Sequence, residues 1–72
     1  MLTIKHFAEF FDISYFTVWE WIKKGIIEDY ERKGSQYYIN KDEFCKKILE
    51  AENMKGMDRF MFKKIQTKII QG

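Results

Sequence analysis

The chain has 72 residues, 46% of them hydrophobic, 18% aromatic and 33% charged, with no proline, one cysteine and one histidine. That length supports one domain with a small core; a domain of about 60 residues buries only about 60% of its unfolded surface, which leaves little apolar area for an enclosed catalytic cavity. The lone Cys45 can form no internal disulfide and with His6 makes no zinc ligand set, so neither a metal nor another cofactor is expected, in a reducing, cytoplasmic setting.

No apolar run approaches the roughly 20 residues that cross a bilayer, and the first residues lack the basic segment and apolar stretch of a secretory signal. No membrane partner is therefore expected. The net charge of +2 is small but unevenly spread. Residues 57–72 carry Arg59, Lys63, Lys64 and Lys68 against Asp58 alone, +3, whereas residues 1–56 carry nine basic and ten acidic side chains, −1. Any attraction for a polyanion must then come from cations gathered on one face.

The first organised segment opens at Thr3, a good helix N-cap, with apolar residues at Ile4, Phe7, Ala8 and Phe11 on one helical face. Asp12 and Ile13 interrupt it. Ser14 is a second cap and starts a helix over residues 15–24, ended by Gly25 in the left-handed conformation that commonly closes a helix. In this second helix Val18, Trp21, Ile22 and Gly25 fall on the core side. Phe16, Thr17, Glu20 and Lys23 lie on the outer side, with Trp19 at the boundary.

Residues 26–30 and 36–39 are rich in β-branched and aromatic side chains and flank residues 31–35, which predicts a hairpin with a basic, glycine-containing tip. Asn40 can cap a third helix, with Phe44, Cys45, Ile48 and Leu49 on its inner face. After a hinge at Gly56, the four-residue recurrence of Met57, Met61, Ile65 and Ile69, with Phe60 and Ile70 beside it, predicts an amphipathic helix. The chain thus divides into a domain over residues 1–55 and a basic amphipathic helix or tail over residues 56–72. Met57, Phe60, Met61, Ile65 and Ile69 either complete a core too small without them or dock on a partner protein or a second copy.

The ordered set Leu2-Thr3-Ile4 with Ala8, Ile13-Ser14 with Thr17-Val18, then Trp21-Ile22-Lys23-Lys24-Gly25-Ile26, and Tyr38-Ile39 leading into a helix, resembles the excisionase family of MerR-like winged-helix domains. The resemblance runs from Leu2 to about Leu49. It implies a mainly helical winged helix-turn-helix with a small β-hairpin, its second helix in the major groove of duplex DNA and its hairpin wing along the neighbouring minor groove. It also implies a non-enzymatic role in DNA recombination: such proteins of phages and other mobile elements bind and bend attachment-site DNA and assist an integrase, while relatives regulate transcription. A protein-interaction module that never touches DNA is the alternative from another class.

On that reading the recognition helix would present Ser14, Tyr15, Phe16, Thr17, Trp19, Glu20, Lys23 and Lys24 to DNA, and the wing Arg32, Lys33, Ser35 and Gln36. Each has a plainer role as well. Ser14 can simply cap a helix, Lys23 and Lys24 can compensate the charge of a helix end, and the aromatics can pack on a neighbour. Family members often carry basic residues directly after the serine, where this chain has Tyr15 and Phe16. Arginine is the commonest reader of guanine, so readout here would fall to aromatic and threonine contacts with thymine methyls, to Glu20 accepting from cytosine N4, and to DNA shape.

Overall fold

The computed structural model covers residues 1–72 and runs β1 (Leu2–Thr3), α1 (Ile4–Phe11), α2 (Tyr15–Lys24), β2 (Tyr30–Lys33), β3 (Gln36–Ile39), α3 (Lys41–Glu50) and α4 (Arg59–Gln71). It is a mostly helical winged helix-turn-helix, with a three-stranded antiparallel sheet in the order β1-β3-β2. The expected caps are in place. Thr3 accepts from the His6 amide at 3.3 Å, Ser14 from Thr17 at 3.1 Å and Asn40 from Glu43 at 3.2 Å, each closing one of the free amides at a helix start.

The turn between α1 and α2 is made by Asp12, at φ 55, whose short polar side chain tolerates the left-handed region. The Ile13 amide then donates back to the Ala8 carbonyl at 3.0 Å, which fixes the direction in which α2 leaves. α2 ends as expected at Gly25, with φ 82, although that residue is exposed and not part of the core face.

Three expectations change in the sheet. The first strand is not residues 26–30: the amides of Ile26 and Ile27 both donate to the Trp21 carbonyl, at 2.9 and 3.1 Å, so the chain is still wrapped around the end of α2 there. Both isoleucines are buried as core plugs, and pairing begins only at Tyr30. The hairpin tip is correspondingly shorter, since Glu31, Arg32 and Lys33 belong to β2 and only Gly34 and Ser35 turn. Gly34 carries the positive φ, 62, that a tight hairpin turn needs at its first central residue. β1 is an addition; two residues are too few for any period, and Leu2 and Thr3 are held by pairing with Ile39 and Tyr38.

The core is built on three phenylalanines. Phe7 lies 4.8 Å from Phe11 and 5.1 Å from Phe44, and Trp21 stacks on Phe44 at 6.2 Å. Val18, Ile22, Ile39 and Ile48 close around them. Leu49, expected on the inner face of α3, is exposed, because one step beyond Ile48 turns the helix surface about 100° away from the core.

Past the connection, Met57, Phe62 and Ile65 join the same core. Met57 and Ile65, two of the residues expected on a docking face, are thus buried against the body of the protein. Gly56, at φ 91, lies close to the body of the protein: a Cβ there would stand 3.2 Å from Ile26 Cδ1. Polar contacts tie α4 down as well: Gln66 Nε2 donates to the Ile48 carbonyl at 3.2 Å and Lys64 Nζ to the Asp12 carbonyl at 3.0 Å.

The Asn40 cap joins the wing to α3, so Asn40→Ala is expected to cost about 0.5–2 kcal/mol. For a domain this size each kcal/mol moves the melting midpoint by about 4–8 °C. Thermal melting followed by circular dichroism checks this, and an unchanged midpoint would mean that the cap contributes nothing.

Candidate nucleic-acid interface

α2 lies with Val18, Trp21 and Ile22 inward, which leaves its other side free. Ser14, Tyr15, Phe16, Trp19, Lys23 and Lys24 are exposed, while Thr17 and Glu20 are partly buried. Phe16, 62% exposed, stacks on Trp19 with centroids 6.0 Å apart and planes 18° from parallel. A pair of large aromatic rings in water is unfavourable unless something covers it. Thr17 is not a free hydroxyl, since its Oγ1 shares a hydrogen bond with Ser14 Oγ at 2.8 Å.

The wing meets this helix through Lys23. Its Nζ donates to the Tyr37 hydroxyl at 3.2 Å and lies 5.4 Å from the Trp19 ring centroid. The 5.6 Å from Nζ to the centroid of Tyr37 reports the same contact at the phenol end of that ring. Register explains why Tyr37 is available: it pairs with Arg32, and Tyr30 pairs with Ile39, so Tyr30, Arg32, Tyr37 and Ile39 share one face of the hairpin. Tyr30 packs edge-on against Tyr37 at 5.5 Å, and the Arg32 guanidinium lies 5.7 Å from the Tyr37 ring while its Nε donates to the Gly34 carbonyl at 3.0 Å.

Lys33 pairs with Gln36 on the opposite face, 5.8 Å from the Tyr38 ring. Arg32 and Lys33, expected together at a tip, therefore point to opposite sides of the hairpin. Ser35 and Gln36 are exposed at its end.

Tyr37 is the residue that sequence reasoning missed. With a five-residue tip it would have faced Asp29; only the two-residue turn brings it opposite Arg32 and within reach of Lys23. The hydrogen bond from Lys23 holds its phenol below the ordinary value of 10.0, opposed by desolvation and aided by the Lys23 and Arg32 charges. Lys23→Met is expected to raise that pKa again, measured by NMR titration of the tyrosine rings. A depressed folded-state value stabilises the fold only where the phenolate forms. The contribution is full above about pH 10, disappears as pH falls through the lowered value, and is absent well below it. An unaltered Tyr37 titration in the variant would break the link.

At the base of the wing, Lys47 Nζ lies 2.8 Å from Asp29 Oδ2 and 3.7 Å from Glu28 Oε1. The hydrogen bond to Asp29, with both carboxylate charges nearby, holds the Lys47 ammonium above its ordinary value, against desolvation. Two acids that would repel a polyanion beside the wing are in this way engaged by α3. Elsewhere no group of histidine, cysteine, aspartate or glutamate side chains is arranged to hold a metal ion, and no helix is long and apolar enough to cross a membrane. Burial pushes the Cys45 thiol up, so the form that would be reactive is disfavoured.

No curated protein and no solved structure matches the chain. The family model described as "Helix-turn-helix domain" matches residues 1–44, from β1 through the wing into α3. That match spans more than half of the chain and includes α1, the Asp12 turn and α2, the elements that give the motif its shape; the chain belongs to the helix-turn-helix domain family.

Proposed function

We propose that this protein binds duplex DNA with α2 in the major groove and the β2–β3 wing on the neighbouring backbone and minor groove, as an excisionase-like accessory factor of a mobile element. Membership of a helix-turn-helix family suggests DNA binding. The single observation that carries the detailed reading is the Lys23–Tyr37 contact, which makes the outer side of α2 and the inner face of the wing one continuous surface.

On this reading Ser14, Tyr15, Phe16, Thr17, Trp19, Glu20, Lys23 and Lys24 form the part that faces the groove, and Arg32, Lys33, Ser35 and Gln36 the part that follows the backbone. The stacked Phe16 and Trp19 offer apolar area to thymine methyls, Glu20 is an acceptor for cytosine N4, and the wing cations suit phosphates. The excision role rests on the resemblance of residues 2–49 to excisionases. It makes an integrase and further copies of the chain on attachment-site DNA the natural partners, in the cytoplasm, and it involves no catalysis.

The deciding experiment is footprinting on DNA flanking the protein's own gene, run with a bending assay. Protection of repeated sites beside a recombination junction, with bent DNA, supports the excision role. Protection confined to a promoter reassigns the protein to transcriptional control, and failure to retard any duplex at low salt leaves the exposed aromatics as a protein-docking surface.

A further inference from the structure

A second group of cations lies at the other end of α2, built by residues that the family match does not include or only just reaches. The half-buried ring of Phe10 lies between Lys41 and Lys68, with Lys41 Nζ 4.3 Å and Lys68 Nζ 5.1 Å from its centroid. Lys64 Nζ donates to the carbonyl of Asp12, two residues before the cap of α2. Phe10, Lys64 and Lys68 border an open groove of about 500 Å³ between the end of α1 and α4, and Lys41 reaches the same Phe10 ring from α3.

The three ammonium groups have no carboxylate partner. The ion pairs of the protein are those of Lys47, and although Glu9 and Asp12 also line the groove, neither carboxylate lies within 4.0 Å of a lysine nitrogen. The apolar ring supports the lysine stems and leaves the charged ends at the surface. Cations on one side of the protein without a counter-charge favour an anion beside them.

We propose that Lys41, Lys64 and Lys68 are a second phosphate clamp, which makes α4 part of the DNA interface. The inference rests on the reading of α2 as the recognition helix. A ten-residue helix is about 15 Å long, and the major groove is about 12 Å wide. The wing and Lys23 stand at the C-terminal end of α2 and the lysine clamp beside its N-terminal end, so each end reaches one of the two phosphate chains that border the groove. The positive charge of the last sixteen residues then has a function that a core-completing helix alone does not require.

The test measures the salt dependence of binding by the full-length chain, on a duplex that it protects and on a random duplex. Lys64→Gln/Lys68→Gln and Lys41→Gln/Lys68→Gln are compared with the parent; the second pair keeps the Lys64–Asp12 hydrogen bond. The slope of log affinity against log salt is expected to flatten by about 0.9 for each phosphate that the variant no longer neutralises, equally on both duplexes. Melting temperatures are expected to stay near the parent's. Lys63→Gln, one position along the same helix, should leave the slope unchanged. Parent-like slopes in both double variants, or equal flattening by Lys63→Gln, overturn the clamp while the DNA-binding reading stands. A parent protein that binds neither duplex overturns both.

Discussion

Stopping the chain after Lys55 is expected to abolish cooperative thermal unfolding, because it removes Met57, Phe62 and Ile65 from the core at once. Each large buried side chain deleted from a core costs about 2–5 kcal/mol, and a whole domain has only about 5–15 kcal/mol to lose. The effect is local enough to test by single changes. Phe62, 1% exposed, should cost about 3–5 kcal/mol as Phe62→Ala, whereas Phe60, 83% exposed on the same helix, should tolerate serine within about 0.5 kcal/mol. Urea and thermal melts of the three variants decide the point. A truncated chain that melts near the parent temperature would return α4 to the status of an appended docking helix.

That contrast also shows where sequence reasoning fails for the tail. Met57, Met61, Ile65 and Ile69 recur every fourth residue, but each step of four overshoots a full helical turn by about 40°, so a strict repeat of four drifts off one face. α4 begins only at Arg59, capped by Asp58 accepting from the Met61 amide at 2.9 Å, and Met57 precedes the helix. Its inward side is Phe62 and Ile65, with Met61 and Ile69 partly buried, while Ile70 and Phe60 face water. The spacing establishes that a helix exists; which side it buries depends on the helix start and on α3, against which it packs.

The helix-turn-helix is legible for the opposite reason. Thr3, Ser14, Asn40 and Gly25 act locally, through bonds to amides or carbonyls within a few residues, so their meaning does not depend on distant parts of the chain. The wing is intermediate. Its aromatic and β-branched residues announce strands, but the register depends on where the turn falls, and Ile26 and Ile27 imitate a strand while serving the core. Hence the cations of the wing can be read from the sequence while their distribution over its two faces cannot, and Tyr37, which joins wing to helix, escapes notice. The group formed by Lys41, Lys64 and Lys68 is illegible for a stronger reason: its members come from two helices and are brought to the end of α1 only by the fold, Lys41 and Lys68 at the Phe10 ring and Lys64 at the Asp12 carbonyl.

The other large effect expected separates base reading from backbone holding. Glu20 lies on the outer side of α2 next to the Phe16–Trp19 stack, and its carboxylate can only accept hydrogen bonds, which suits a cytosine amino group and repels phosphate. Glu20→Ala is therefore expected to reduce discrimination between cognate and altered sites by about 1–3 kcal/mol while leaving binding to random DNA the same or stronger. Arg32 and Lys33 should behave in the reverse manner. Lying on opposite faces of the hairpin, they can hold different phosphates, so Arg32→Gln/Lys33→Gln is expected to weaken binding to every sequence alike and to flatten the salt slope by about two units. The two variants measured side by side on cognate, single-substituted and random duplexes form a pair of opposite signatures. Equal weakening on all duplexes for Glu20→Ala would remove it from base readout, and a parent-like salt slope for the double variant would take the wing off the DNA backbone.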